Sequence, residues 1–320
     1  MKRLITPVLA LLWLGLLPAA AQDWPTRTVK MVVPFGAGST PDVIARIIAD
    51  KLQQKLGQNF IVENKPGASG MTGTDAVAKA EADGYTVGIS IGGPLAINTL
   101  LFAKMPYDPA KDIALITVLT SQPSALAVPA SLGVNSVAEL VALIKKDPGK
   151  YNFGSIGNGS LSHLAMEAIA LKSGAKLVHI PYGSSPQAMT AVMRGDVQMV
   201  VMPAISVVPH VQSGAVKMLA VTTPKRSPLL PDVPTLKESG VDVEADAWNG
   251  LIAPAGTPQA ILDKIQREVA DAIKTPELRE KFATQIMEPV GNTPAQFKAQ
   301  IEGDLARWTP VIKEAGIKVN

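Results

Sequence analysis

The stretch that decides the fold is residues 28–46, which read TVKMVVPFGAGSTPDVIAR. It begins with a short apolar run rich in β-branched residues, and Pro34 ends this run because proline cannot continue a central strand. Thr40 and Pro41 favour the start of a helix, with Thr40 as the N-cap, and apolar residues then recur at helical spacing. The stretch therefore predicts a buried strand, a glycine-rich loop and a helix.

The loop between this strand and helix, residues 35–39, has the features of an anion-binding loop. Its main-chain N–H groups lie at a helix N-terminus, whose partial positive charge favours an anion. Two glycines allow a ligand to approach the main chain closely. A carboxylate is the expected ligand. Asp42, in the first turn of the helix, either offsets the helix dipole or receives an amine or hydroxyl group of the ligand.

Two other interpretations of the loop remain open on local chemistry. Gly36 and Gly38 could begin a dinucleotide-binding fingerprint, although Pro41 stands where that motif needs its third glycine. The loop could also be a plain connection between a strand and a helix, with no ligand, because short glycine-rich loops are common in parallel sheets.

Residues 1–21 have the pattern of a secretory signal peptide, with two basic residues, an apolar core and an alanine-rich end. We expect cleavage after Ala21 and export to the periplasm. The sequence has no cysteine, which excludes disulfides and thiolate metal sites. Without residues 1–21 the chain has 28 basic and 27 acidic residues, and this near balance argues against a nucleic-acid partner.

The rest of the chain alternates short apolar runs with amphipathic helices, which is typical of a parallel α/β fold. A chain of this length is long for one core, so two lobes are expected. Apolar runs around 113–128 and 248–253 predict two crossings between these lobes. We expect residues 22–122 plus 247–320 to form lobe 1 and residues 123–246 to form lobe 2.

A second strand–loop–helix unit lies in the middle of the chain. Residues 151–155 predict a strand, residues 156–159 a glycine-rich loop, and Ser160 the cap of the next helix. A third such turn, at Gly92, follows a strand predicted over residues 85–91. Ligands gather outside the carboxyl ends of strands in open parallel sheets, so these turns are expected to share a binding site.

Few residues support catalysis. The sequence has three histidines, His163, His179 and His210, and none stands in a metal-ligand spacing. No serine lies in a nucleophile elbow. We therefore predict no enzymatic activity, no metal and no cofactor. His163 either lines the cleft or packs as an ordinary buried histidine.

Seven segments of the mature chain together resemble the Bug family, the extracytoplasmic receptors of tripartite tricarboxylate transporters. In chain order these segments are residues 32–46, 63–70, 82–86, 106–112, 179–182, 231–235 and 248–254. They span nearly the whole mature chain in the order typical of the family. One departure is the loop sequence GAGST, where the family frequently has a loop of the Pro-Gly-Gly type.

The resemblance implies a two-lobed, clam-shell periplasmic binding protein of the type II-like class, which holds a carboxylate between its lobes with main-chain groups. Asp42 matches the family's aspartate after the glycine loop. The implied ligand-binding residues are Phe35, Gly36, Ala37, Gly38, Ser39, Thr40, Asp42, Gly92, Pro94, Ala96, Ser155, Gly157, Asn158, Gly159, Ser160, His163, Ala204, Ile205 and Asp246.

The implied function is an exported, monomeric receptor that delivers a small carboxylate, an organic acid or an acidic amino acid, to membrane transporter subunits. Lysine and arginine are scarce in the loops, which favours small mono- or dicarboxylates over citrate. Two alternatives remain: a ligand sensor that signals to a sensor kinase, and a periplasmic enzyme that acts on a carboxylic acid.

Overall fold

The protein, seen in a computed structural model that describes residues 24–319, is built from two mixed β-sheets covered by helices. The predicted signal peptide, residues 1–21, and its cleavage site lie outside the described residues. The strands are β1 (Val29–Val33), β2 (Phe60–Asn64), β3 (Thr86–Ile91), β4 (Ile113–Gln122), β5 (Ser124–Pro129), β6 (Asn152–Ser155), β7 (Val178–Pro181), β8 (Met199–Pro203), β9 (Val216–Val221), β10 (Ala247–Pro254) and β11 (Glu288–Pro289).

Ten α-helices connect or cover these strands in the described part of the chain. They are α1 (Thr40–Leu56), α2 (Met71–Ala78), α3 (Asn98–Leu101), α4 (Val137–Lys146), α5 (Leu161–Ser173), α6 (Ser185–Arg194), α7 (Ala204–Gln212), α8 (Gln259–Ala272), α9 (Pro276–Ala283) and α10 (Pro294–Glu314). A π-helical turn, Gly93–Ile97, leads directly into α3. None of the helices between residues 24 and 319 combines the length and the apolar character that a membrane crossing requires.

The first sheet has the strand order β11-β4-β10-β3-β1-β2, and the second has the order β7-β6-β8-β5-β9. The chain therefore passes from the first sheet to the second at Pro123 and returns to the first sheet where β10 begins. These passages are the two crossings expected from the apolar runs. The structure thus has two α/β lobes, as expected; we call the one around the first sheet lobe 1 and the other lobe 2.

The register of the strands places the functional loops on the edges where the lobes meet. In the first sheet, β1, β2 and β3 are parallel, and the start of the antiparallel β10 pairs with the end of β3 and the end of β4. In the second sheet, the start of β5 pairs with the ends of β8 and β9. Both carboxyl edges therefore adjoin Pro123. The loops after β1, β3, β6 and β8 open onto the space between the sheets.

Helices cover both faces of each sheet. In lobe 1, α1 and α8 bury one face with residues such as Ile44 and Ile265, while Trp248 and Phe297 pack on the other face. In lobe 2, α4 and α5 pack on one face, and α6 and α7 on the other. These apolar contacts hold the loops at the sheet edges in place.

The last helix, α10, belongs to both lobes. Phe297, near its start, packs under Gly250 of β10, where a side chain on this glycine would overlap the phenylalanine ring. Trp308 and Ile312, near its end, are buried in the lobe 2 core beside α5. The sequence-based division, which gave residues 247–320 to lobe 1, did not anticipate this contact.

One local prediction differs from the structure. Ser39, rather than Thr40, holds the N-cap position of α1, because the backbone already has helical geometry at Thr40.

A capping box can also occur without a helix. Thr235 and Glu238 exchange the two hydrogen bonds of a capping box, yet the segment is a turn. The chain there bends at once toward Val241 and Val243, which are buried in the lobe 2 core.

Candidate functional site

The loop after β1 is open to solvent at its centre. Gly36, Ala37 and Gly38 are exposed, and a side chain built on Gly36 or Gly38 would meet no atom within 4 Å. Among the described residues, none accepts a hydrogen bond from the main-chain N–H groups of Gly36, Ala37 or Thr40. These groups lie at the N-terminus of α1, so this loop presents unpaired donors where the helix dipole favours an anion.

Asp42 fixes the shape of this first loop. One of its carboxylate oxygens accepts hydrogen bonds from Gly38 N at 2.8 Å and Arg46 Nε at 3.1 Å. The other accepts from Arg46 Nη2 and from Asn64 Nδ2, both at 2.9 Å. Asn64 Nδ2 also donates to Phe35 O at 2.9 Å. The side chain is 2 % exposed and fully engaged, so Asp42 supports the loop and has no free oxygen for a ligand amine.

The charge of Asp42 is held by its partners. Burial alone would raise the pKa of this carboxyl, but the hydrogen bonds from Arg46, Gly38 and Asn64 outweigh burial and hold the pKa below its usual range. Arg46 is in turn committed to this ion pair. The first cation that follows the loop in the sequence is therefore already neutralised.

The turn after β3 packs against the first loop. A side chain on Gly70 would lie 2.7 Å from Pro94 Cγ and 2.9 Å from Phe35 Cζ, so these three residues are in close contact. Pro94 and Ala96 are buried, and Tyr107 donates a hydrogen bond to Pro94 O at 2.8 Å. Gly92 lies at the mouth of this turn, above the ring of Trp248. The predicted site residues after β1 and β3 thus form one continuous wall.

The loop after β6 is built differently, because its own side chains take most of its main-chain donors. Ile156 N donates to Ser162 Oγ at 3.0 Å, Gly157 N to Ser155 Oγ at 3.1 Å, and Gly159 N to His163 Nδ1 at 3.1 Å. Ser160 caps α5, as predicted. The N–H groups of Asn158, Leu161 and Ser162 have no partner among the described residues. These three are the donors left for an anion.

Some side chains of this second loop are buried and support it, and others are exposed to solvent. Ser155 and His163 are buried, whereas Asn158 and Ile156 are exposed, Ile156 by 39 %. Gly159 packs against Leu101 of α3, and its φ of +72° lies in the left-handed region that favours glycine. This contact joins the lobe 2 loop to a lobe 1 helix.

Three other predicted site residues lie at or next to the crossings. Ala204 is fully buried, and its N–H donates to Pro123 O at 2.9 Å, which ties the loop after β8 to the first crossing. Ile205 is half-buried. Asp246 is partly buried at the second crossing and accepts a hydrogen bond from Ser121 Oγ at 3.3 Å. Burial raises the pKa of Asp246.

Three buried polar atoms near these loops have no hydrogen-bond partner in the described residues: Ser39 Oγ, Gln122 Nε2 and Asn249 Oδ1. Ser39 is one of the predicted site residues, whereas sequence reasoning missed Gln122 and Asn249. Gln122 and Asn249 lie at the ends of β4 and β10 that adjoin the crossings. No motif identifies them, because their significance depends on the pairing of strands that are far apart in the sequence.

The serine and histidine side chains do not form a nucleophilic site. Ser155 Oγ lies 2.6 Å from His179 Nε2, a contact that resembles part of a catalytic triad. Ser155 is, however, fully buried, and its hydroxyl is also bonded to the main chain of Gly157. Ser160 Oγ donates to Gly157 O at 2.7 Å, and His163 Nδ1 already accepts from Gly159. These groups brace a loop, an arrangement suited to binding.

Two concave regions lie away from these loops. One, of about 660 Å³, lies between α5, α10 and the chain around residues 242–244, and its charged side chains include Lys172, Glu244 and Arg307. The other, of about 590 Å³, borders Tyr182 and the start of α6. Neither is lined by the glycines of the two loops.

Comparison with known proteins agrees with the two-lobed fold. The model of the tripartite tricarboxylate transporter family receptor, TctC, matches residues 44–317. The chain is 35 % identical over 304 residues to Protein BugT of Bordetella pertussis, covering 94 % of this chain and 93 % of BugT.

Solved structures of similar proteins show the same architecture. The R. palustris protein Rpa4515, solved with adipate, is 36 % identical with a TM-score of 0.83, covering 92 % of this chain and 99 % of that protein. MatC from Rhodopseudomonas palustris, solved with bound malate, is 28 % identical with a TM-score of 0.76, covering 90 % and 100 %. This chain belongs to the tripartite tricarboxylate transporter receptor family, whose members are extracytoplasmic solute-binding proteins.

Proposed function

We propose that this receptor binds a small dicarboxylate between its two lobes and delivers it to the membrane subunits of a tripartite transporter. The observation that carries the proposal is the exposed loop Gly36–Gly38, in which the unpaired N–H groups of Gly36 and Ala37 lie at a helix N-terminus. Such donors hold a carboxylate without a cationic side chain. Adipate and malate, bound by two similar proteins, support this ligand class.

The second loop supplies the opposing donors in this proposal. The unpaired N–H groups of Asn158, Leu161 and Ser162 would hold the other carboxylate, and the exposed Ile156 would contact the carbon chain between the two acid groups. Closing the lobes would bury the ligand and exclude water. The remaining predicted site residues, such as Asp42 and His163, position the loops rather than touch the ligand.

The proposal includes the cellular setting of the protein. Residues 1–21 act as a signal peptide that is cleaved after Ala21, and the mature protein works as a monomer in the periplasm. The lobes follow the two sheets, with residues 22–122 plus 247–320 in lobe 1 and residues 123–246 in lobe 2, except that the end of α10 packs on lobe 2.

A ligand panel tests this function. Refolded, ligand-free protein would be titrated calorimetrically with adipate, malate, a monocarboxylate and citrate. We expect saturable binding of at least one dicarboxylate and weaker or no binding of citrate, because the loops carry no free cation to balance a third carboxylate. Absence of heat and of any thermal shift with every dicarboxylate would contradict the proposal.

A matched pair of glycine variants tests the site. Gly36→Leu fills the open space in front of the first loop. Gly303→Leu places the same side chain at an exposed position of α10. Neither glycine has a left-handed backbone and neither meets an atom within 4 Å, so both variants should fold. We expect Gly36→Leu to weaken ligand binding about tenfold or more, equivalent to about 1.4 kcal/mol, and Gly303→Leu to bind normally. Equal ligand affinities of the two variants would show that the first loop is not part of the binding site.

A further inference from the structure

Two stacked histidines lie directly beneath the second ligand loop. The rings of His163, on α5, and His179, on β7, have centroids 3.7 Å apart and planes 11° apart. Phe153 of β6 stacks on His179 with centroids 4.9 Å apart. His163 is 5 % exposed and His179 is half-buried. These stacked rings lie beneath residues 156–160.

Each imidazole helps to fix one main-chain N–H group of the loop, either directly or through Ser155. His163 Nδ1 accepts the hydrogen bond of Gly159 N at 3.1 Å. His179 Nε2 lies 2.6 Å from Ser155 Oγ, and the same Ser155 oxygen accepts from Gly157 N at 3.1 Å. The positions of two main-chain groups that flank Asn158 therefore depend on the two rings. Asn158 N is one of the unpaired donors assigned above to the ligand.

A neutral imidazole is required at His163, because a proton on Nδ1 would face the N–H of Gly159 and remove its acceptor. Two imidazolium ions at this separation would also repel each other. Burial, with a further effect of His163, lowers the pKa of His179 to about 4.

The charged surroundings of the pair are sparse. Glu167, one turn along α5, has its Oε1 3.6 Å from His163 Nε2, on the side away from Gly159, and opposes the lowering of the pKa of His179. Strands β6, β7 and β8 carry no other titratable side chain. On α10, which packs on α5, Arg307 and Glu314 line a groove with Lys172 at the far end of α5. Arg194 ends α6 on the opposite face of the sheet.

We propose that His163 and His179 are positioning residues of the second ligand loop, and that the receptor binds its carboxylate with full affinity only while both imidazoles are neutral. The ligand part of this inference rests on the proposed function. The sign follows from linkage: the pKa of His179 is lowered in the folded protein, so the assembled loop is fully present above pH 6.5 and is lost progressively as the pH falls toward about 4.

A first experiment needs no ligand. Ring signals of the three histidines would be followed by NMR from pH 8 to pH 3 and assigned with His→Gln variants, together with the amide signals of Gly157 and Gly159. We expect both amides to shift with the protonation of His163 or His179 and to be insensitive to His210, which lies on α7. Titration of both rings without any change at the two glycines would overturn the positioning role.

A second experiment measures affinity, with adipate as the probe, at pH 7.5 and pH 5.0. The wild type and the control His210→Gln should lose about tenfold more affinity on acidification than His163→Gln, whose amide oxygen accepts from Gly159 but does not titrate. The titration of adipate itself cancels in this comparison. His163→Leu, which leaves Gly159 N without an acceptor, should bind about tenfold more weakly already at pH 7.5.

The results separate the two proposals. The same pH dependence in the wild type and in folded His163→Gln would overturn the role of His163 in binding. If the wild type bound no adipate at either pH, adipate would fail as a ligand, and the NMR titration would still decide the role of the histidines. Circular dichroism of each variant shows whether it is folded. The NMR titration of the wild type shows whether the loop responds to pH even if a variant does not fold.

Discussion

At the scale of single residues, Asp42 is the clearest example of a side chain that holds the main chain of a loop. Its carboxylate joins Gly38, Arg46 and Asn64, which belong to the loop, to α1 and to β2. An asparagine at this position would turn its amide N–H groups toward at least one of these donors, and a buried donor would lose its acceptor.

We therefore predict that Asp42→Asn lowers the free energy of unfolding by about 2 kcal/mol at pH 7 and weakens ligand binding. The pKa of Asp42 is held below 3.8, so its stabilising effect is present above that pH and is lost as the pH falls through the lowered pKa. Urea unfolding at pH 7 and pH 3.5 measures the change, and the gap between the two proteins should narrow at the lower pH.

The control is Asp50→Asn, also on α1, where the exposed carboxylate accepts a single hydrogen bond from Gln54. We expect it to change stability by less than about 0.5 kcal/mol. If Asp42→Asn were no more destabilising than this control, the supporting role of Asp42 would be wrong.

The sequence predicted where the glycine-rich loops of the candidate site lie but not how their side chains are used. Glycines and helix-start residues are local signals, so the loops after β1 and β6 could be located from the sequence. The partners of Asp42 and His163 could not, because Asn64 and His179 approach them only through the pairing of neighbouring strands. Gln122 and Asn249 were missed for the same reason.

At the scale of secondary structure elements, α10 is the one whose role the sequence did not reveal. It begins with a capping box at Thr293, and Phe297 packs on lobe 1. About three turns further on, Trp308 is 1 % exposed in the lobe 2 core. Helical periodicity shows that these residues are buried, but it does not show against which lobe.

We predict that Trp308→Ala lowers the free energy of unfolding by about 3–5 kcal/mol, because the large buried ring leaves a cavity. Chemical denaturation measures this loss. Lys313→Ala, an exposed position on the same helix, should change stability by less than about 0.5 kcal/mol. Equal stability of the two variants would mean that α10 does not contribute to the lobe 2 core.

Most other elements were predictable because their signals are local. The strands around residues 29–33 and 152–155, and the helix after Ser160, appear where the apolar runs and caps indicated. The short β11 was not predicted, since its two residues pair with β4 only after α9 has folded back. The π-helical turn at Gly93 likewise has no signature in local propensity.

At the scale of the whole molecule, buried acidic groups lie where the chain crosses between lobes. Asp304 of α10 accepts hydrogen bonds from Trp248 Nε1 and Arg307 Nη1, both at 2.8 Å. Its carboxylate lies 3.4 Å from where a side chain on Gly92 would be. Burial raises the pKa of Asp304 to about 6, against the opposing effects of Trp248 and Arg307. Asp246 lies in the same region and adds to the raised pKa.

The folded protein therefore retains a proton on Asp304 that the unfolded chain releases near pH 3.8. The stabilisation from this proton is fully present below pH 3.8 and is lost as the pH rises through about 6. Asp304→Asn stays neutral and can still accept from Trp248. We predict that its stability relative to the wild type rises by about 2–3 kcal/mol between pH 4 and pH 7. Urea unfolding at both pH values measures this, and a difference that does not vary with pH would contradict it.

The central claim is that one carboxylate ligand is held by main-chain N–H groups of both lobes at once. Its most direct test is a crystal structure of the refolded protein with adipate. The account predicts a carboxylate within hydrogen-bond distance of the N–H groups around Gly36 and Ala37, and the opposite end of the ligand near Asn158 and Leu161. Adipate bound in the groove between α5 and α10, or held by one lobe while the other loop stays empty, would contradict it.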